Sequence, residues 1–246
     1  MSIEGGINNV QNRNDHFERT LKSLARDVGA EDAMFLMDFS CPDNWLGKTW
    51  VRSLKGRGSI LYSSSKVGSV LSDCRRLLKS PDVDLLKTVS KPLHNWTTTA
   101  NNRFIKLRTG LLLESGYKNV VSISLPLLSN DDISGRFVFF FDKYCEQSEL
   151  DINQSINNML DEIMVYQQAA SALKVLPSPL EDYGLIKKST VSIIKLLSEG
   201  YSRKEISELH YMSSRGIDYH IDKAKFLLGA NNAYNLVHKA HRLLLF

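Results

Sequence analysis

The last quarter of the chain carries short helical segments whose start and stop signals lie so close together that few folds can accommodate them. Apolar residues recur at helical spacing from Val191 to Leu197, and Gly200 stands where that helix should stop. Ser202-Arg-Lys-Glu205 then forms a capping box, which predicts that a second helix begins at Arg203. Because such short helices are unstable alone, they must bury their apolar faces against one another.

Two further helices are predicted after this pair. Ser213 is an N-cap for the third helix, Gly229 closes it, and a fourth helix begins near Asn232. The pattern predicts an all-α domain over residues 183–246, in the helix-turn-helix arrangement that places the third helix in the major groove of DNA. The inward-facing residues are Ile217, Ile221, Ala224 and Leu228 in the third helix, and Leu236, Val237 and Ala240 in the fourth.

The opening turn of the third helix presents polar side chains if its apolar stripe faces the core. Arg215 and Lys223 are suited to phosphates, and Asp218 can accept a hydrogen bond from a cytosine amine. Since acidic groups repel phosphate, Asp218 and Asp222 must either contact bases or bond within the protein. A packing or dimerisation unit fits four amphipathic helices equally well. The predicted DNA-binding residues are Arg203, Lys204, Ser213, Ser214, Arg215, Asp218, Tyr219, Asp222 and Lys223.

The same residues resemble the helix-turn-helix of LuxR-type transcription regulators. The resemblance implies a quorum-sensing regulator that binds a palindromic site on double-stranded DNA as a homodimer and responds to a small-molecule autoinducer. Gly216 departs from the pattern, since the family usually has threonine there, and glycine costs about 1 kcal/mol in a helix interior. The matching residues are Glu199, Gly200, Ser202, Lys204, Glu205 and Ile206, followed by Ser213, Ile217, His220, Leu228, Gly229, Ala230 and Asn232.

The first 174 residues alternate between helical and strand patterns and predict an α+β domain, an antiparallel sheet with helices in a PAS-like or GAF-like α/β/α sandwich. Leu176-Pro-Ser-Pro179 cannot be helical throughout, so we place a linker at 175–182. The predicted elements are a helix ending at Gly29, a strand over 33–39, a helix near 70–79, a helical stretch from Pro81 to the break at Pro92, a helix over 104–115, strands over 119–127 and 135–142 joined by a turn at 129–134, and a helix over 149–173 that also serves dimerisation.

The LuxR resemblance also implies a ligand pocket in this first domain. Residues 111–126 are similar to the helix, glycine and strand that wall the pocket of acyl-homoserine-lactone receptors. Pro92 and Trp96 resemble the proline and tryptophan of those receptors, whose indole N–H meets the lactone carbonyl. Their ligand-binding aspartate corresponds to Asp82 or Asp84. The upstream tryptophan and tyrosine, four residues apart, are missing, because Trp50 is followed at that distance by Leu54.

A hydroxypyrazine is the second candidate ligand, since the recognition-helix sequence also resembles the VqmA branch of the family. In that case Phe104 would stack on the ligand and Lys106 would donate to its oxygen. A core role for Trp96 and Phe35, or a solvated Lys106, explains those residues equally simply. The predicted ligand-binding residues are Phe35, Tyr62, Asp82, Trp96, Phe104, Lys106 and Ser122.

Composition excludes several other classes. The net charge is +4, and residues 181–246 hold 10 basic and 7 acidic residues, a local excess of +3. No apolar run approaches the roughly 20 residues that cross a bilayer, the start lacks a signal peptide, and three scattered cysteines suit a cytoplasmic protein with reduced thiols. We find no phosphate loop, nucleophile elbow or metal-ligand spacing, so we expect no enzymatic activity, cofactor, metal or membrane partner. Two alternatives stay open: an enzyme whose catalytic residues meet only in the folded chain, and a ligand-independent dimeric regulator or antagonist.

Overall fold

The computed structural model describes residues 3–46, 57–77, 91–96, 103–143 and 149–246. The chain forms two compact units, Met1–Leu176 and Pro177–Phe246. In the described part of the chain, no helix is both long and apolar enough to cross a membrane.

The first unit is built on an antiparallel sheet with the strand order β2-β1-β5-β4-β3, so the predicted α+β class is confirmed. Its elements are α1 (Ile3–Val28), β1 (Asp32–Phe39), α2 (Asp43–Leu46), β2 (Leu61–Tyr62), α3 (Ser65–Leu77), β3 (Leu93–Asn95), α4 (Arg103–Glu114), β4 (Asn119–Leu127), β5 (Asn130–Phe141), α5 (Glu149–Asn158) and α6 (Leu160–Ala172).

One face of this sheet packs against α1 and α6. The rings of Phe35 and Phe137 both contact Tyr166 of α6, with ring centroids 5.2 and 5.6 Å from it. Gly135 permits the close approach of α6, because a Cβ atom there would lie 2.2 Å from Oε1 of Gln167. Gln167 in turn donates a 2.9 Å hydrogen bond to the carbonyl of Pro126.

The other face of the sheet packs against α3 and α4. Strand alternation directs every second residue of each strand to this side, and the register pairs Met34 with Val138 across β1 and β5 and Val120 with Phe140 across β4 and β5. The buried cluster there consists of Val67, Val70, Cys74, Leu112, Tyr117, Val120, Val138 and Phe140.

The turn predicted at 129–134 is wrong, because those residues, from Asn130 onward, belong to β5. Leu127 pairs with Asn130, and Ile133 is fully buried opposite Phe39. The backbone pairing of β5 with β4 and β1 outweighs the preference of residues 130–132, Asn-Asp-Asp, for a turn. The Asn130 side chain is bonded inside the strand, where its Oδ1 accepts a 2.9 Å hydrogen bond from the Asp132 amide.

One other prediction differs from the structure. The single helix over 149–173 is instead two helices, α5 and α6, separated at Met159, whose φ and ψ of −109° and 10° depart from helical values. Residues 93–95 pair with β4 as strand β3, and residues 81–90, where a helical stretch was predicted, lie outside the described residues.

Residues 177–246, all of them described, contain α7 (Pro179–Asp182), α8 (Lys188–Ser198), α9 (Arg203–Leu209), α10 (Ser214–Leu228) and α11 (Ala233–Arg242). Part of the predicted linker at 175–182 is therefore helical and packed. Ser178 is buried, caps α7, and donates a 2.6 Å hydrogen bond to the Leu243 carbonyl.

The helix caps and stops predicted for this unit at Ser202, Ser213, Gly200 and Gly229 are confirmed. The Ser202–Glu205 capping box is formed, with the Ser202 amide 2.8 Å from a Glu205 carboxylate oxygen. Ser213 caps α10 by accepting a 3.1 Å hydrogen bond from the Gly216 amide. Gly200 and Gly229, with φ of +91° and +58°, end α8 and α10 in the left-handed region.

Candidate functional site

A cavity of about 170 Å³ lies in the first unit between the sheet and helices α3 and α4. Most of its wall is apolar, which is usual for a small-molecule pocket. Its described lining residues are Met34, Leu36 and Asp38 of β1, Arg57 and Ile60, Val70, Leu71, Cys74 and Arg75 of α3, Trp96, Arg108 and Leu112 of α4, Val120 of β4, and Arg136, Val138 and Phe140 of β5.

Trp96 and Ser122, both predicted as ligand-binding residues, contact each other, and Trp96 lines this cavity. The indole Nε1 of Trp96 donates a 2.7 Å hydrogen bond to Oγ of Ser122. Arg108 holds the same tryptophan from α4, since its guanidinium lies 4.8 Å from the ring centroid and donates a 2.7 Å hydrogen bond to the Trp96 carbonyl. The indole N–H is thus already bonded within the protein.

Of the described residues predicted to bind a ligand, only Trp96 is among those that line the cavity. Phe35 is buried on the opposite face of the sheet. Tyr62 is partly buried and packs against the apolar cluster between the sheet and helices α3 and α4, and Lys106 is exposed on α4. Phe104 belongs to α4, but its side chain, like residue Asp82 as a whole, lies outside the described residues.

The charged residues of the cavity wall were missed by the sequence analysis. Asp38 forms ion pairs with Arg57 at 3.2 Å and with Arg136 at 3.5 Å, and all three side chains are at most 7% exposed. Arg75 of α3 donates to the backbone carbonyl of Arg57. The available signal was a charge in the middle of an apolar strand, as in Met37-Asp38-Phe39 and Gly135-Arg136-Phe137, because buried charges are rare unless paired.

A second buried polar cluster lies on the same sheet face around Asp32. This carboxylate accepts hydrogen bonds from Tyr117 at 2.7 Å, Lys22 at 2.8 Å and the Ser63 hydroxyl at 2.8 Å. Burial acts to raise the pKa of Asp32, but these bonds outweigh it and hold the pKa below its usual value. The cluster ties α1, β1 and the segment before β4 together, and none of its members lines the cavity.

In the second unit, α10 buries one side and exposes the other. Ile217, Ile221 and Ala224 are at most 1% exposed, whereas Tyr219 is 62% exposed. The predicted contact residues on the exposed side are Ser214, Arg215, Tyr219, Asp222 and Lys223, and Ser213, Arg203 and Lys204 are exposed beside them. The outward direction of this face agrees with the apolar spacing in the sequence.

Both acidic residues of α10 bond within the protein. Asp218 pairs with Arg203 of α9 at 3.2 Å, and Asp222 pairs with Lys225 at 2.7 Å. The negative charge of Asp218 thereby offsets the positive charge of Arg203, which is one of the predicted DNA-binding residues. The sequence left two roles for these carboxylates, contact with bases or bonding within the protein, and the structure shows the second.

His220 connects α10 to α8. Its Nδ1 lies 2.7 Å from Oγ1 of Thr190, which is buried. Partial burial lowers the pKa of His220, and the nearby cations Lys187 and Lys223 lower it further. His220 is therefore a neutral link between the two helices near pH 7.

The described residues hold no group of three or more histidine, cysteine, aspartate or glutamate side chains arranged for a metal ion. Cys41 is exposed, and burial raises the pKa of the Cys74 thiol to about 11, so that Cys74 is not a reactive thiolate. Cys145 lies outside the described residues.

No family model matches the chain, and no curated protein matches it. Among solved structures, the chain is similar to Escherichia coli SdiA, with a TM-score of 0.43 and 15% identity over 95% of this chain and 92% of that chain. A structure of SdiA in complex with octanoyl-rac-glycerol has a TM-score of 0.43 and 14% identity, over 94% of this chain and 88% of that one. At this identity, residue roles do not transfer from SdiA to this chain.

Proposed function

We propose that the chain is a ligand-responsive DNA-binding transcription regulator of LuxR type. The observation that carries the proposal is the exposed side of α10. Ser213 caps the start of this helix, and the opposite side of the helix is a buried apolar stripe. In this proposal α9 and α10 are the two helices of a helix-turn-helix, joined by the turn at 210–213, and the opening of α10 enters the major groove.

The proposed phosphate contacts come from Arg215 and Lys223 of α10 and from Lys204 of α9, all exposed. Tyr219 and Ser214 occupy positions suited to base edges. Arg203 is a further proposed phosphate contact. A phosphate can displace Asp218 from its exposed ion pair with Arg203, because exposed ion pairs contribute only about 0–1 kcal/mol.

The first unit is the proposed sensor domain, of PAS or GAF type, and its cavity is the proposed autoinducer site. The α/β/α layering and the apolar wall of the cavity support this role. The two ligand classes raised by the sequence, acyl-homoserine lactones and hydroxypyrazines, are both neutral amphiphiles. A ligand would act by fixing how α3 and α4 pack on the sheet.

A homodimer is the proposed active form. Two recognition helices must lie about one DNA turn apart to occupy a palindromic operator. In α6, which the sequence assigns to dimerisation, Val165 is 69% exposed, and Leu173, which follows the helix, is 49% exposed. A second copy of α6 would cover these apolar side chains.

The test is salt-dependent binding of the full chain to duplex DNA. Each phosphate contact contributes about 0.9 to the slope of log affinity against log salt. The double charge reversal Arg215→Glu with Lys223→Glu should weaken binding at least tenfold and reduce that slope by about 2. Lys195→Glu, on the exposed side of α8, is the matched control and should keep most of the affinity. Unchanged affinity in the double variant would remove the proposed interface.

A further inference from the structure

We infer that the second unit holds a phosphate-binding cavity in which one phosphodiester group of duplex DNA is bound between Lys187 and Lys223. This inference rests on the proposed function and adds to it a contact from α8. The starting observation is a cavity of about 40 Å³ between the start of α8 and the side of α10, which we call the α8–α10 cavity. Its polar lining residues are Lys187, Thr190, Tyr219, His220 and Lys223.

The size of the α8–α10 cavity suits a phosphate group. A water molecule needs about 10–15 Å³ of such space, so the cavity holds a group of roughly three water-sized atoms. The phosphorus and the two free oxygens of a phosphodiester form a group of that size. Because the cavity is partly open, the sugars on either side of the phosphate can remain outside it.

The charged side chains of the cavity lining are all positive. Lys187 and Lys223 contribute two positive charges, and no aspartate or glutamate of this fully described unit lines the cavity. Neither lysine forms an ion pair with a residue that the structure describes, and the two acidic residues of α10 are paired with other cations at 3.2 and 2.7 Å. An anion that enters the cavity therefore meets two cations and no carboxylate.

Two further features of the lining favour an anion. Lys187 is the N-cap residue of α8 and its side chain makes no capping bond, so the positive end of the α8 dipole adds to the two charges. Burial is the largest cause of the lowered pKa of His220, and the charges of both lysines add to it, which places both cations near one imidazole. The 2.7 Å bond between His220 and Thr190 joins α10 to α8 at this site.

The position of the cavity favours DNA as the source of the phosphate. Tyr219 and Lys223 line the cavity and also belong to the proposed recognition face, where Tyr219 is 62% exposed. When a recognition helix lies in the major groove, phosphates border it on both sides, and neighbouring helices contact them. Lys187 would supply such a contact from α8. The sequence analysis missed Lys187, because a lysine at the start of a helix has no distinguishing pattern.

The first experiment compares two adjacent lysines, since Lys187 lines the cavity and Lys188 is exposed beside it without lining it. Fluorescence anisotropy of the full chain with a labelled duplex measures affinity at several salt concentrations. Lys187→Met should weaken binding roughly three- to tenfold at about 0.1 M salt, whereas Lys188→Met should stay within about twofold. Lys187→Arg keeps the charge and should retain most of the affinity. Equal losses for the two methionine variants would reflect general attraction to DNA and would overturn the inference.

The second experiment asks whether both lysines hold the same phosphate. Each phosphate contact contributes about 0.9 to the slope of log affinity against log salt. The double variant Lys187→Met with Lys223→Met should therefore reduce the slope by about 1, because one phosphate contact is lost. A reduction of about 2 would mean that the lysines contact different phosphates, and an unchanged slope would mean that they contact none. Either result contradicts a shared site.

Inorganic phosphate is the probe for a free anion as the ligand. In calorimetric titration of the full chain we expect no submillimolar binding, because a free phosphate lacks the other contacts that DNA makes. Submillimolar binding that also displaces DNA would identify a free-anion site and would overturn the assignment to DNA.

The failure of this inference differs from the failure of the proposed function. If the parent binds DNA and the double charge reversal at Arg215 and Lys223 weakens it as expected, but Lys187→Met matches Lys188→Met, the phosphate site is wrong and the regulator stands. If the parent has no salt-dependent affinity for duplex DNA, the regulator is wrong and the site falls with it. If Lys187→Met alone loses affinity while the charge reversal has no effect, the site stands and the proposed recognition face is wrong.

Discussion

Arg203 on α9 and Asp218 on α10 form a 3.2 Å ion pair at the face proposed to contact DNA. The pair links the two helices of the proposed helix-turn-helix, yet both side chains are about half exposed, at 59% and 46%. Its contribution to stability is therefore small, about 0–1 kcal/mol. Its larger effect is electrostatic, since the carboxylate offsets a cation that would otherwise face phosphate.

Replacing Asp218 with asparagine should increase affinity for duplex DNA several-fold. The substitution removes a negative charge from the proposed interface and releases Arg203. Fluorescence anisotropy with a labelled duplex at two salt concentrations measures the effect. Glu199→Gln is the control, because Glu199 pairs with Lys195 away from this face. A fall in affinity for a selected operator would instead mean that Asp218 contacts a base.

Gly216→Ala should stabilise the second unit by about 0.5–1 kcal/mol, because alanine favours the helix and restricts the unfolded chain. A Cβ atom there would lie 3.4 Å from the Ser213 hydroxyl, an ordinary contact. Thermal unfolding followed by far-ultraviolet circular dichroism measures the change.

The matched comparison is Gly135→Ala in β5, where a Cβ atom would lie 2.2 Å from Gln167 and 3.0 Å from Phe35. This substitution should destabilise the first unit by roughly 1–3 kcal/mol through overpacking. All three tryptophans precede residue 177, so their fluorescence follows this unit. Similar effects of the two alanines would show that the space around each glycine does not determine the result.

The second unit was largely predictable from sequence because its signals are local. Ser202 and Ser213 each cap a helix by accepting a hydrogen bond from the amide three residues further on, and those contacts form as expected. The apolar stripe of α10 also fixed which side faces solvent. The bonding of Asp218 to Arg203 was not predictable, since it joins two helices whose relative rotation the pattern does not specify.

The cavity was less predictable because its residues meet only through the sheet. Trp96 and Ser122 were chosen separately by resemblance, and their direct bond follows from the pairing of β3 with β4. Arg136 and Asp38 lie on adjacent strands nearly 100 positions apart in sequence. Periodicity indicates which face a residue occupies, but it does not give the register of β1 against β5, which places Arg136 opposite Leu36, two residues from Asp38.

The stability of the second unit should fall between about pH 7 and pH 5 in part through His220. Its pKa is lower in the folded chain than in the unfolded one, whose histidines titrate near pH 6.5. The unfolded state therefore takes up the proton first as the pH falls, which favours unfolding. Above the unfolded pKa, both states are neutral and this contribution is fully retained.

His220→Gln should reduce that pH dependence, because glutamine can keep a hydrogen bond to Thr190 without titrating. Urea unfolding at pH 7.5 and pH 5.5, followed by circular dichroism, compares the variant with the parent. His238→Gln, at an exposed position of α11, serves as the control. An equal difference between the two pH values in parent and variant would assign the acid sensitivity to other groups.

Removing the Tyr117 hydroxyl should cost more stability than removing the Tyr166 hydroxyl, although both are buried. Tyr117 donates a 2.7 Å hydrogen bond to the carboxylate of Asp32, whereas Tyr166 donates a 3.0 Å hydrogen bond to the neutral carbonyl of Phe17. Hydrogen bonds to charged groups contribute about 1.5–3 kcal/mol and neutral ones about 0.5–1.5 kcal/mol. Tyr117→Phe should therefore lower the free energy of unfolding by about 2 kcal/mol and Tyr166→Phe by about 1 kcal/mol.

The same pair of variants separates charge from packing through pH. In the parent, the lowered pKa of Asp32 contributes stability above the pKa of the unfolded carboxylate, and this contribution is lost as the pH falls through the folded pKa. Tyr117→Phe removes one of the bonds that lower that pKa, so less stability should be lost on acidification than in the parent. Tyr166→Phe should leave the acid dependence unchanged. Tryptophan fluorescence in urea from pH 7 to pH 3 measures both, and identical acid profiles for the two variants would refute the assignment.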